Sequence, residues 1–344
     1  MKILLYTDNH YCQSSSIVRG QGERYSLRLE NQIKSLNWVE QLALDEHCDM
    51  VFNLGDFFDK STLNAEEITA LKEIKWNNLP HYFIVGNHEM GVSDLTYSSA
   101  HIFESLNYKV FKFVDLMKLN DDVALIILPY LTKDRRATLR KYIEDLTINE
   151  KANKYIVLSH NDISGIRYGQ YMSTDGFDIQ DIYDNCNLFI NGHLHNQTQI
   201  NDKTLNLGNL TGQNFSEDAF KHSHCAAILD TDTLQINLIN NPYAFNFYKL
   251  EINTSDDFEL LNKCVNNAVL SIKVKEPLVA DLKLKLAEYS FIDYRIITIA
   301  DLTLDTTETI QSITATDYIT QFKNYIVEQL GQSEILMEEL TLLE

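Results

Sequence analysis

The sequence has no run approaching the ~18 consecutive apolar residues that a membrane span needs, so no spanning segment is expected. Its first residues, Met1 to Asp8, carry only a short apolar stretch before a charge, which reads as a first strand and not as a signal peptide. Cysteine is sparse and unpatterned. Cys12, Cys48, Cys186, Cys225 and Cys264 form no C-x-x-C pair, so neither a zinc-finger spacing nor a disulfide framework is expected, and a reducing cytoplasm is the natural setting. Positive charge is what the chain lacks most. Its 29 Lys and Arg stand against 49 Asp and Glu, a formal net charge of −20. A protein that binds nucleic acid unaided draws its affinity from neutralising phosphates. Either the substrate is not a long nucleic acid, or metal ions and a basic partner supply the missing charge.

What is present is a globular composition over 344 residues, room for one large α/β domain and a smaller module. Apolar runs predict strands at Ile3–Thr7, Met50–Leu54, Tyr82–Val85, Ala124–Leu128, Tyr155–Ser159 and Leu188–Asn191. Helical spacing predicts helices over Leu29–Leu44 and Ala65–Ile74 between the first three. This alternation argues for an α/β core. After residue 195 short strands follow without long helices, at Thr204–Leu207, Cys225–Leu229 and Leu234–Leu238, up to the break at Asn240-Asn241-Pro242. A strand–helix pattern then returns: strands Phe247–Ile252, Val269–Lys273 and Tyr294–Ile299, helices Phe258–Asn266 and Val279–Ala287. Two terminal helices are predicted, Thr316–Leu330 with an apolar face and Ile335–Leu343. The expected division is 1–241, 242–312 and 313–344.

The chemistry-bearing residues come just after predicted strands: Asp8-Asn9-His10, Gly55-Asp56-Phe57-Phe58-Asp59, Gly86-Asn87-His88-Glu89, His160, and Gly192-His193-Leu194-His195. In open α/β sheets the carboxyl ends of the strands share one edge, where ligands bind. Each piece alone is an ordinary turn; five in order, each after a strand, point to one site. Two divalent ions about 3.5–4 Å apart can clamp a phosphate and activate a water. An anionic bridge is needed between them, and Asp56 in the central loop suits it. In an extended chain, His193 and His195 would project to one side about 6.5 Å apart, enough for each ring to reach a different ion. Carboxylate, amide and imidazole without thiolate favour an ion such as manganese. The glycines at 55, 86 and 192 fit sharp turns close to the site.

The series D-x-H, G-D-x-x-D, G-N-H-[DE], a strand-end His and G-H-x-H resembles that of the calcineurin-like metallophosphoesterases. The resemblance implies a two-sheet β-sandwich flanked by helices in αββα layers, with a small α+β capping domain over 242–312 and C-terminal helices. It implies that one ion is held by Asp8, His10, Asp56 and His195, and a second by Asp56, Asn87, His160 and His193. By the same resemblance His88 is catalytic, protonating the leaving oxygen, with Glu89, where many relatives have Asp, orienting it. Finer features are similar to SbcD-type nucleases: Gly55-Asp56-Phe57-Phe58-Asp59, Leu128-Pro129-Tyr130-Leu131, and, in part, Gly208-Asn209-Leu210 with Phe215-Ser216-Glu217. That likeness implies a DNA nuclease with two divalent ions, manganese first and magnesium as the alternative. It implies an SbcC-like ATPase partner docking on 313–344, a homodimer within a heterotetramer, and a cytoplasmic setting, the host's if phage-encoded. The rival expectation is a protein phosphatase or nucleotide phosphodiesterase of the same superfamily, which the acidic surface favours.

Other candidates have plainer readings. His222-Ser223-His224 repeats the i, i+2 spacing but lacks a carboxylate-rich companion loop and is expected to be structural. His47, His81 and His101 are expected on helix or loop surfaces. Arg19, Arg24 and Arg28 could meet phosphates or sit in a solvated loop, and Lys133, Arg135, Arg136, Arg140 and Lys141 form the densest basic patch, read as a solvated face.

Overall fold

Successive residues of the first strand, β1 (Lys2–Tyr6), bury on opposite faces: Ile3 and Leu5 enter one apolar cluster, Leu4 and Tyr6 another. That double burial requires a covered layer on each side of the sheet, and the computed structural model supplies both. It describes residues 1–299 apart from 19, 93, 149–150, 169–170 and 266. The expected helices Thr316–Leu330 and Ile335–Leu343, and the 313–344 docking segment, lie outside the described residues.

The first sheet places β1 beside β2 (Met50–Asn53), β3 (His81–Ile84) and β4 (Lys109–Phe111), all parallel. The second is built on β6 (Val123–Leu128), β7 (Lys154–Ser159) and β8 (Leu188–Asn191), also parallel, with β5 (Asp115–Lys118) antiparallel at one edge. Strands β9 (Thr198–Asn201) and β10 (Thr204–Asn206) extend it beyond β8. The hairpin of β11 (Cys225–Asp230) and β12 (Ile236–Asn240) returns to the first sheet, antiparallel to β1. Inner-facing Ile3, Leu5, Phe52, Ile84, Leu125, Ile127, Ile156, Leu158 and Ile190 form the layer between the sheets. Helices α1 (Leu27–Asp45) and α2 (Ala65–Ala70) cover the outer face of the first sheet, with Leu29, Leu36, Val39 and Ala70 buried. Helices α3 (Leu139–Leu146) and α4 (Ile179–Asn185) cover that of the second through Leu139 and Ile182. The fold is therefore the two-sheet αββα sandwich.

Departures from expectation are local. The hairpin's second strand starts at Ile236 and not at Leu234, because Asp230 accepts from the amides of Asp232 and Thr233 and Leu234 takes φ 61° to close the turn. His81, expected on a surface, is buried on β3, where its ring bonds Glu40 and the Leu79 carbonyl.

After residue 241 the chain builds a three-stranded parallel sheet from β13 (Asn246–Ile252), β14 (Ala268–Lys275) and β15 (Asp293–Ile299). A 3-10 helix over Ser255–Lys263 and helix α5 (Val279–Leu286) make the crossovers; the first replaces the helix expected at Phe258–Asn266. Tyr248, Leu250, Ile252, Leu270, Ile272, Val274 and Leu282 give this module its own apolar cluster. Val18, Phe215, Phe245, Phe247 and Val269 pack it onto the sandwich.

Candidate metal centre

The parallel strands β1, β2, β3, β7 and β8 all point their carboxyl ends at one edge of the sandwich, and the loops leaving them converge. Asp8, His10 and His195 form one cluster and Asp56, His160 and His193 another, each with its ligand atoms within 4.8 Å of one another. A third grouping joins His10, Asp56 and His88. Asp56 Oδ2 lies 3.1 Å from His160 Nε2 and 3.9 Å from His10 Nε2, so one carboxylate oxygen faces both histidine sets. His193 falls in one cluster and His195 in the other, but not by the extended route expected. His193 adopts φ 73° and the Leu194 amide donates to the Gly192 carbonyl, a tight turn.

The backbone is strained where the side chains matter. Asp8 (φ 50°), His10 (φ 47°), Asp56 (φ 49°) and His193 (φ 73°) all occupy the left-handed region. Such conformations cost about 1–3 kcal/mol each and persist only where packing over-determines them. Gly86 shows how tight the packing is, since a Cβ there would collide with the Asp56 carboxylate.

Each histidine has one ring nitrogen committed elsewhere. His10 Nδ1 donates to Asp59 Oδ1 (3.0 Å), His195 Nδ1 to Glu217 Oε1 (2.9 Å), His193 Nε2 to Asp162 Oδ1 (3.1 Å) and His160 Nδ1 to the Leu54 carbonyl (2.8 Å). These bonds select the tautomers. The opposite nitrogens are left as lone-pair donors, and they converge. His10 Nε2 and His195 Nε2 face each other at 3.0 Å. Asn87 Oδ1 lies 3.0 Å from His193 Nδ1 and 3.3 Å from His160 Nε2. Asp8 Oδ1 is buried with no hydrogen-bond partner, although Oδ2 accepts from Thr7 Oγ1 and the His193 amide. Lone pairs meeting lone pairs in a buried place require cations or extra protons between them. This donor set therefore fits two divalent ions sharing Asp56.

The electrostatics agree. Burial would raise the Asp56 pKa, but His160 and His10 outweigh it and hold the carboxyl well below the usual range. Burial alone would lower His160; Asp56 and Asp8 instead raise it to about 9. Burial likewise opposes a proton on His195, and the Glu217 bond and Asp8 reverse that.

His88 and Glu89 separate in the structure. The His88 ring is 42% exposed, with Nδ1 donating to the Asp59 carbonyl at 3.0 Å, while its amide donates to Asp56 Oδ1. Glu89 was expected to orient it, but the Glu89 carboxylate accepts from the Phe58 amide (3.1 Å) and the Gly86 amide (2.9 Å). Fully buried, it ties the second and third loops together and orients His88 only through them. Burial first, then Asp56, pushes its pKa up to about 8.

Three carboxylates that brace ligand-type histidines, Asp59, Asp162 and Glu217, had no such role assigned by sequence reasoning. Asp59 and Glu217 were visible within quoted motifs; Asp162, two residues beyond His160, carried no signal. Among the other candidates, Arg28 is buried and donates to the His10 carbonyl and to Gln213, and Arg24 pairs with Glu73. Arg136 and Arg140 pair with Asp175 and Glu144; Arg19 lies outside the described residues. His224 is buried against Asn209, and burial lowers its pKa.

This chain belongs to the calcineurin-like phosphoesterase family, whose sequence profile matches residues 1–197. The family binds two divalent metals, and the protein is a metal-dependent phosphoester hydrolase. The chain is 28% identical over 172 residues to a probable cyclic nucleotide phosphodiesterase of Coxiella burnetii, covering 48% of this chain and 68% of that protein. It is 23% identical over 193 residues to the DNA double-strand break repair protein Mre11 of Nanoarchaeum equitans, covering 48% of this chain and 51% of that protein. The match thus spans about half of that relative's length. A dimetal phosphatase from Danio rerio has a TM-score of 0.40 and 14% identity over 66% of this chain and 91% of that one.

Proposed function

We propose that this chain is a two-metal nuclease subunit of SbcD type, hydrolysing DNA phosphodiesters in end processing, repair or recombination. The observation that carries the reading is the paired donor clusters sharing Asp56 at the edge where five strand-end loops meet. The DNA assignment draws on the motif likeness around Asp56 and Tyr130 and on the similarity to Mre11. Asp8, His10, Asp56 and His195 would hold one ion, and Asp56, Asn87, His160 and His193 the other. Two divalent ions, manganese first, would supply a polarised phosphoryl group and a water acidic enough to attack at neutral pH.

The chain's own residues do the rest. Asp59, Glu217 and Asp162 fix the ring orientations and tautomers of His10, His195 and His193. His88, with Nδ1 held by the Asp59 carbonyl, has Nε2 available to protonate the departing sugar oxygen. Glu89 keeps the loops of Asp56 and Asn87 in register. A net charge of −20 makes long DNA a poor ligand for this surface alone. An SbcC-like ATPase partner, docked on 313–344 in a heterotetramer with two copies of this chain, would supply the basic field. Five unpaired cysteines suit a reducing cytoplasm.

Hydrolysis of single- and double-stranded DNA with manganese, with and without EDTA and the partner, tests the reading. His88→Ala is expected to keep two-ion binding and lose roughly 10²-fold or more in rate. Inactivity on all DNA with the partner present would sink the nuclease assignment. The acidic surface and the Coxiella relative favour a second reading, hydrolysis of a small nucleotide diester, which cleavage of cyclic nucleotides but not DNA would select.

A further inference from the structure

A cleft of about 300 Å³ opens at one side of the metal centre, where His10, His195, Asp59 and His88 line it. Asn87, His160 and His193 do not, so it flanks the first ion's ligands and the acid read for the leaving oxygen. A single cation stands among its described lining residues, Arg28. Composition does not explain a cation there in a chain of net charge −20. Arg28 is 6% exposed, so its guanidinium is almost wholly removed from water. Charges buried in this way are normally paired. Among the described residues this one is not. The carboxylates whose fields reach it, Asp59 and Glu217, are bonded instead to His10 (3.0 Å) and His195 (2.9 Å).

Hydrogen bonding uses only part of the guanidinium. Nη2 donates to the His10 carbonyl and to Gln213 Oε1, which ties Arg28 to the His10 loop. Nε is buried without a partner. Nη1 donates to no described residue, yet it is not among the unpartnered nitrogens closed off from solvent. It is therefore an open donor on a permanent cation at the cleft. Ser15 lines the same cleft, and its Oγ accepts from the Ile17 and Val18 amides, which leaves its own hydrogen to donate. We propose that this cleft is the subsite of the leaving nucleotide, with Arg28 Nη1 holding the non-scissile phosphate next to the bond that is cut. A phosphate brings the countercharge that the buried guanidinium lacks and an oxygen for its open N–H. His88 sets the side, because the group it protonates departs beside it, and Arg28 lines that space. The volume, at the lower end for a small-molecule site, suits one nucleotide. This inference rests on the reading of the chain as a nucleic-acid phosphodiesterase. It adds that a strand is recognised by two neighbouring phosphates, of which a cyclic mononucleotide has only one.

Thymidine dinucleotides test it on the full chain loaded with manganese: d(TpT), whose one phosphate is the scissile one, and its 5′- and 3′-phosphorylated forms. The products show which nucleoside leaves. Wild-type protein is expected to favour the form whose added phosphate sits on that nucleoside, by about 10-fold in KM, the scale of one charge-assisted hydrogen bond. Arg28→Gln should abolish the preference. Any loss it causes through the His10 carbonyl falls on all three diesters alike and leaves their ratio readable. If Arg28→Gln does not fold, Ser14→Glu replaces it: Ser14 is exposed at the cleft, where a carboxylate should repel the added phosphate and reduce the same preference. A preference for a phosphate on the other nucleoside, or one that survives either variant, would overturn the proposal. Titration calorimetry with thymidine 3′,5′-bisphosphate reads the cleft without turnover. The manganese-loaded chain should bind it about 10-fold tighter than either thymidine monophosphate, a margin that Arg28→Gln should remove. That margin supports the subsite even if no dinucleotide is cut, in which case only the catalytic reading has failed; its absence overturns the subsite. Hydrolysis of all three diesters without preference overturns the subsite alone.

Discussion

The strand-end edge of the sandwich and the three-stranded module after residue 241 are built on opposite terms. The module is regular: parallel strands of seven to eight residues, an aliphatic cluster, and, among its described residues, no left-handed backbone outside glycine. The edge concentrates what folding usually avoids, with buried carboxylates, lone pairs facing each other and four strained residues within a few ångströms. Strain and unmet polar groups survive only where something else repays them. Here the packing of the sandwich holds the loops, and bound cations would complete the site. The contrast locates function: order for its own sake in one region, order imposed on an unfavourable cluster in the other.

Substitutions can break that contrast. The largest effect is expected from Asp56→Asn, which keeps shape but removes the shared charge. Hydrolysis should fall on the order of 10³-fold, and calorimetry with manganese should show loss of one or both sites. Full two-ion binding would mean that Asp56 is not the bridge. Leu270→Ala in the module should lower unfolding stability by about 3 kcal/mol through the cavity it leaves. Metal affinity should stay unchanged, and weakened metal binding in that variant would show that the two regions are not independent. Glu217→Gln is subtler, because it retains the hydrogen bond to His195 while removing the negative charge behind it. Metal affinity is expected to weaken about 10–100-fold, with near-normal folding; an unaltered affinity would reduce Glu217 to packing.

Much of the fold was legible because buried strands announce themselves. The runs at β1, β2, β6, β7 and β8 are apolar on both faces, and α1 carries its spacing over four turns. Edge strands were not. Lys109–Phe111, Asp115–Lys118 and Thr198–Asn201 are short or polar and become strands only through their neighbours. The division of the central strands between two sheets came from resemblance, since alternation alone fits a single sheet equally well.

The site divides the same way. That Asp8, His10, Asp56, Asn87, His160, His193 and His195 occur just after strands was determined by the order of residues alone, because chain order and the direction of parallel strands bring such loops to one edge. Residue order also determined that nothing in the site is a thiolate and that the chain is strongly acidic. Only the tertiary structure decided the rest: that Asp59, Asp162 and Glu217 brace the histidines, and that the Glu89 carboxylate ties two loops together through the Phe58 and Gly86 amides. The bracing pairs join residues 22, 31 and 49 positions apart in the chain. Local propensity carries no information about them, because a hydrogen bond depends on where two side chains meet in space.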